Sequence, residues 1–148
     1  MKKLILILLL GLSIYSCKKE ETPDENTNSS YIKMSIDNGN DIIFNENYAG
    51  MLIGEKIILG AASGNKDIQI SIDVNSEEGQ NATTYLISYG ENGESVFTTV
   101  TNAKSKSLFI EKYDPNQKEI EGFFTVTYMD NVTQEFHSAK GSFKVKYQ

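Results

Sequence analysis

His137 is the only histidine of this chain and Cys17 its only cysteine, so chemistry needing an imidazole or a thiolate must pass through one of these two positions. A Ser-His-Asp arrangement would have to be built on His137, yet no Gly-x-Ser-x-Gly elbow occurs. A zinc site there would need three carboxylates, an uncommon ligand set. The expected place of His137 is therefore a solvated or core-edge position on a strand. Glu119 and Glu121 lie two apart, so on a strand they share a face, and paired carboxylates can do acid–base work. The turn residues around them point instead to a solvated outer face, and Glu77-Glu78 in a polar loop reads the same way. Asp37, Asn40 and Asp41 supply oxygen ligands of the kind calcium takes, but Ile42 stands where the calcium loop needs glycine. Turn chemistry accounts for these three residues as well.

Aromatic side chains are the last candidates. Tyr85, Tyr89, Phe97, Phe109, Tyr113, Phe123, Tyr128 and Phe136 could build a platform for sugar rings, although the chain has no tryptophan. Aromatics on strands more often fill cores or form cross-strand pairs. Phe123 and Phe124 are adjacent, so on a strand one of the two must face away from the core.

Cys17 takes its meaning from what precedes it. Lys2 and Lys3 give a positive start, and Leu4 to Leu12 is apolar, broken only by Gly11. This is the layout of a secretory leader. A membrane-crossing helix needs about 20 apolar residues, roughly twice this run. Ile14-Tyr15-Ser16-Cys17 resembles a bacterial lipobox, with Tyr15 larger than the usual residue at its place. The resemblance implies cleavage before Cys17 and acylation of its sulfur and amino group. Acyl chains contribute about 0.8 kcal/mol per buried methylene, so more than one anchors a protein stably. Lys18-Lys19-Glu20-Glu21 follows, and Lys19, Glu20 and Glu21 resemble the surface-export signal of Bacteroidota lipoproteins. That implies an outer-membrane protein facing the cell exterior; a plain spacer would leave it periplasmic.

Cleavage would remove residues 1–16 and leave 132 of the 148, one domain's worth. Of the 14 basic side chains Lys2 and Lys3 leave with the leader, so 12 face 20 acidic ones, a net charge near −8. Such a surface repels phosphate backbones, and nucleic acid is not an expected partner. With its cysteine acylated the chain has no thiol for a disulfide or a thiolate metal site. No cofactor is expected. Residues 17–30 hold the lipidated cysteine and a polar stretch with Pro23, too poor in apolar residues to offset its ordering entropy. They read as a flexible linker to a domain over 31–148.

Within that domain the apolar period is two, and no stretch carries a helical stripe. Tyr31–Ile36 sets Ile32, Met34 and Ile36 against Lys33 and Ser35; Asp67–Val74 sets Ile68, Ile70, Ile72 and Val74 inward. Further strands are expected over Asp41–Phe44, Met51–Ile53, Ile57–Ala62, Thr83–Tyr89, Ser95–Thr101, Leu108–Tyr113, Glu119–Met129, Val132–His137 and Gly141–Tyr147. Asp37-Asn38-Gly39-Asn40 reads as a hairpin turn centred on Asn-Gly. Asn45–Gly50, Asn75–Asn81 and Asn102–Lys106 read as links. About 8–10 short strands without helical crossovers imply an all-β fold, an antiparallel β-sandwich or a flattened barrel.

Leu108–Asp114, Lys118–Phe124 and Gly141–Val145 resemble the I-x-x-Y-D … I-x-G-x-F … G-x-F layout of small β-rich lipoprotein domains of Bacteroidota. Asn81–Leu86 resembles their G-T-Y-x-L strand, with Ala82 at the glycine place. That resemblance transfers no catalytic residue. The glycines have a physical reading too: Gly122 and Gly141, each ahead of phenylalanines, suggest a bulge or a close approach of chains. They should pair as the last hairpin, with Phe124 and Phe143 in the core.

The function expected is a non-enzymatic binding or interaction module, anchored to a membrane by lipid and taking a protein or glycan ligand. The alternatives are a glycan-binding surface lipoprotein or a small hydrolase using Glu119 and Glu121. Acylation is directly testable. The intact mass of the native protein should match a chain beginning at Cys17 plus acyl groups, and Cys17→Ser should abolish labelling by radioactive palmitate; a bare or uncut amino terminus would refute it.

Overall fold

A computed structural model of the chain describes residues 30–75 and 78–148. Cys17, Lys19, Glu20, Glu21, the linker up to Ser29 and Glu77 therefore lie outside the described residues. Those described contain no helix and form two packed antiparallel sheets, a sandwich and not a closed barrel. The strands are β1 (Tyr31–Ile36), β2 (Ile42–Phe44), β3 (Glu46–Ile53), β4 (Lys56–Ser63), β5 (Lys66–Asp73) and β6 (Gln80–Asn81). They continue with β7 (Tyr85–Glu91), β8 (Glu94–Thr98), β9 (Ala103–Asp114), β10 (Glu119–Met129) and β11 (Phe136–Lys146). One sheet runs β2-β1-β11-β10-β9-β6 and the other β3-β4-β5-β7-β8.

The alternation seen in the sequence selects the core face. Ile32, Met34 and Phe44 from one sheet meet Ile57, Leu59, Ile68, Ile70 and Ile72 from the other, all buried. A chain of aromatic rings crosses between the sheets. Phe44 meets Tyr89 edge-on at 6.3 Å, Tyr89 meets Phe97 at 5.9 Å, and Phe97 meets Tyr128 at 4.3 Å. Buried polar groups in this region are satisfied: Thr99 accepts the Ile87 N–H at 3.0 Å, and the Tyr89 hydroxyl donates to Glu91 at 3.1 Å.

Several expectations are corrected. Asn45–Gly50, read as a link, is mostly strand, because β3 begins at Glu46 and absorbs a bulge between Glu46 and Ala49. Val132–His137 and Gly141–Tyr147, read as two strands, are one strand, β11: buried Ala139 sits opposite Val126 and carries the core pattern across the gap. Residues 132–135 belong instead to the β10–β11 loop. The strand expected over Ser95–Thr101 stops at Thr98, where Asn102 accepts the Thr98 N–H at 2.8 Å and turns the chain. The links over Asn102–Lys106 and Asn75–Asn81 contain the start of β9 and all of β6. Asn92 and Gly93 do turn the β7–β8 hairpin, both at positive φ, but the Asn-Gly turn expected at the first hairpin is shifted. There Asp37 and Asn38 occupy the left-handed positions and Gly39 N–H bonds the Ile36 carbonyl at 2.8 Å.

That shift has a tertiary cause, because both ends of Asp37 reach across to β11. Its N–H donates to the Ser138 carbonyl at 2.8 Å, and its carboxylate accepts the Ser138 N–H at 2.8 Å.

The strands of Gly122 and Gly141 do pair as the last hairpin, and both close approach and bulge are present. Gly122 lies opposite Phe143 and Gly141 opposite Phe124, so each ring covers the other strand's glycine. A Cβ on Gly122 would stand 2.2 Å from the Phe109 carbonyl oxygen and 2.9 Å from the Phe143 ring. A Cβ on Gly141 would stand 2.4 Å from both the Lys33 carbonyl oxygen and the Phe124 ring. β9 bulges beside Gly122, where Glu111 is an extra residue. Gly141→Ala should therefore lower stability by about 1–3 kcal/mol, since backbone cannot yield to the methyl group. Gly60→Ala, with nothing within 4 Å of its Cβ, should be neutral or stabilise by about 0.4–1 kcal/mol. Urea unfolding of the two variants checks the contrast, and equal midpoints would refute it.

Candidate binding face

The outer face of the six-stranded sheet gathers Glu119 and Glu121 with the aromatic candidates Phe109 and Phe123. Strand parity sends Glu119, Glu121, Phe123, Thr125 and Thr127 of β10 outward, each opposite an outward residue of β9 and β11. One cross-strand row runs Ile43, Lys33, Ser142, Phe123, Phe109, Asn81 and spans all six strands. Phe124 points into the core and Phe123 out, 44 % exposed, as adjacency on a strand requires. Phe123 stacks on Phe109 with ring centroids 5.1 Å apart and planes 21° from parallel.

On either side of this aromatic pair the chemistry differs. One flank is a charge ladder in which Lys144 pairs with Glu121 at 3.5 Å and Lys112 with Glu119 at 3.1 Å. Glu119 and Glu121 thus share the predicted face, each beside a lysine of a neighbouring strand. The other flank carries small hydroxyls, with Ser107 and Thr125 bonded at 2.8 Å. Between Phe123 and the β1–β2 hairpin lies an open depression of about 410 Å³, lined by Lys33, Ser35, Asp41, Thr125, Lys140 and Ser142. The two lysines at its rim are each held by a partner from the β1–β2 hairpin. Lys33 reaches Asp41 at 3.4 Å and Lys140 donates to Asn38 at 2.8 Å. A flat ring seated against Phe123 would meet hydroxyl, ammonium and carboxylate groups at its edge.

The aromatics expected as one platform are not one. Tyr89, Phe97 and Tyr128 are core residues, and burial raises the hydroxyl pKa of Tyr89 and of Tyr128. Lys106 sits over Tyr85 at 5.0 Å and Lys104 over Phe136 at 5.2 Å. Lys104 is the extra residue of the second β9 bulge. Tyr113 lies half-buried near the far end of β9. Only Phe109 and Phe123 stack with each other on the outer face. The calcium-type trio is likewise dispersed, since Asp41 turns to Lys33 and Asp37 to β11. Among the described residues no three metal-binding side chains gather. Glu78 is used by the fold, accepting the Tyr113 N–H at 3.2 Å.

His137 found a partner that sequence reasoning missed. Its Nδ1 lies 2.6 Å from the Asp37 carboxylate, and its ring tilts over Tyr128 at 5.8 Å. The two residues are 100 positions apart, so only the β1–β11 pairing signals the contact. Two members of a hydrolytic triad are therefore adjacent, but among the described residues no serine hydroxyl bonds the imidazole. The hydrogen bond from His137, then that from the Ser138 N–H, hold the Asp37 pKa below its ordinary 3.8, and the bond to Asp37 raises His137 above 6.5. No family model matches the chain, and no curated protein matches it.

A raised histidine pKa contributes stability that is complete below about 6.5 and fades as pH rises through the raised value. A lowered aspartate pKa contributes stability that is complete above about 3.8 and fades as pH falls through the lowered value. The pair thus stabilises most between these two values. Asp37→Asn keeps a residue that tolerates the left-handed backbone. It should return the lone imidazole proton signal to an ordinary titration near 6.5, and an unchanged NMR midpoint would refute the coupling.

Proposed function

We propose that this chain is a lipid-anchored, non-enzymatic binding module of the cell envelope, and that its ligand is a hydroxylated ring such as a sugar. The anchor reading rests on the leader-like start, Cys17 and the following Lys19-Glu20-Glu21. By resemblance to Bacteroidota lipoproteins, these favour attachment to the outer membrane with the domain at the cell surface. The ligand reading rests on one observation above others: Phe123 and Phe109 stack on a solvent-facing sheet surface beside a depression edged by hydroxyls, lysines and Asp41. An aromatic wall with a few polar groups at its rim suits a ring whose faces are apolar and whose edge is polar. Glu119 and Glu121 each share their charge with a lysine, which favours binding over carboxylate-dependent hydrolysis.

A glycan array probed with the mature chain carrying Cys17→Ser tests this. Phe123→Ala should cost about 2 kcal/mol of binding, roughly a thirtyfold loss of affinity. The fold should survive, because the stacked ring pair contributes only about 0.5–1.5 kcal/mol. Glu119→Gln with Glu121→Gln should leave affinity unchanged. Cleavage of a bound glycan would overturn the non-enzymatic reading, and retention of affinity by Phe123→Ala would overturn the site.

A further inference from the structure

Met51, Leu52 and Ile53 are the only three consecutive large apolar side chains that are all exposed among the described residues, at 44, 46 and 55 %. They end β3, the outermost strand of its sheet, at the hairpin that turns through Gly54 and Glu55. Leu52 stands opposite Ile57 on the core side of the sheet, whereas Met51 and Ile53 stand opposite Ile58 and Lys56 on the other side. Apolar surface therefore wraps both faces of one strand end, and no rotation of the strand could bury all three within the sandwich. Edge strands are commonly blunted with charge at such a place; this one is not.

Two observations decide what covers it. The first concerns the backbone. The Leu52 N–H donates to the Gln148 carbonyl at 3.0 Å, and the Gln148 N–H donates to the Gly50 carbonyl at 2.9 Å. This part of the edge is already paired, so an approaching partner meets side chains and not a free ladder for strand addition. The second concerns the tether. Ser30, where the described domain begins, accepts the Lys146 N–H at 3.0 Å, and the Tyr48 hydroxyl donates to the Lys146 carbonyl at 3.3 Å. From Lys146 to Gln148 is two residues of extended chain, about 7 Å, so the domain's entry point and the apolar edge are neighbours.

Twelve residues lie between Cys17 and Ser30, and by the linker reading given from the sequence a chain of that length would have a root-mean-square span of about 20 Å. A domain of this size has a radius of gyration of about 13 Å. With a tether that short, Ser30 and the apolar edge beside it stay within reach of the lipid, where a weak apolar contact becomes intramolecular. Lys56 and Lys146 flank the edge, with Glu55 as the opposing charge at its tip.

We propose that the Met51–Ile53 edge rests in the headgroup region of the bilayer to which Cys17 is acylated, fixing how the domain stands on the membrane. This rests on the anchored reading above. The test uses the full lipidated chain in vesicles of phosphatidylethanolamine and phosphatidylglycerol, with an environment-sensitive dye on Ile53→Cys or on Asn65→Cys. Asn65 is the control because its turn lies at the opposite end of β4.

The dye at position 53 should be quenched by shallow spin-labelled lipid and shielded from aqueous iodide, while the dye at 65 stays open to iodide. Adding Met51→Gln and Leu52→Gln should raise iodide quenching at position 53 to the level at 65. Vesicle-bound protein with equal iodide quenching at both positions would overturn the docking alone. Protein that fails to float with the vesicles would overturn the anchor, and the docking with it. Shielding of position 53 in the non-acylated Cys17→Ser chain, free of lipid and detergent at the same protein concentration, would mean that a second copy covers the edge, and would also overturn the proposal.

Discussion

Two phenylalanine rings laid over two glycines set the geometry of the larger sheet. A glycine inside a strand leaves a gap in the side-chain layer and weakens the ladder. Here Phe143 fills the gap at Gly122 and Phe124 fills the gap at Gly141, so each strand of the last hairpin repairs the other. The arrangement tolerates no slip, because moving the register by one residue would turn both rings to the opposite face. The flanking strands crowd the same glycines: the Phe109 carbonyl of β9 approaches Gly122 and the Lys33 carbonyl of β1 approaches Gly141. Four neighbouring strands thus take their alignment from two positions without side chains.

The rest of the core is assembled around that spine without any covalent staple among the described residues. The aromatic chain runs from Phe44 of the larger sheet to Tyr89 and Phe97 of the smaller one and back to Tyr128 of the larger, joining the two through ring contacts. It ends at the surface on His137, which Asp37 holds from the opposite end of the domain sequence. Asn102 ties the same end together, accepting from Thr98 and donating to carbonyls of Val96 and Met129 on different sheets.

The surface follows from the core by parity. Once Phe124 is committed inward, Phe123 must face water, and the register brings Phe109 beside it. The same parity lines up Glu121 with Lys144 and places Thr125 against Ser107. The aromatic pair and the apolar β3 edge belong to different sheets. In the docking proposed above, a domain resting on lipid by its β3 edge would leave the aromatic pair open to a ligand.

The amino-acid order by itself determined the all-β class and most strand positions. It also settled the inward faces of β1, β5 and β10 and the pairing of the two glycine-bearing strands. These are consequences of a two-residue period and of local turn chemistry, both written within a few neighbouring residues. Tertiary structure alone decided what depends on residues far apart. It joined residues 136–146 into one strand, because Ala139 finds its core place only against Val126. It moved the first turn to Asp37-Asn38 and matched His137 to Asp37, because β11 returns to pair with β1. It split eight aromatics between core and surface, since period two says which residues share a face but not which face another sheet will cover.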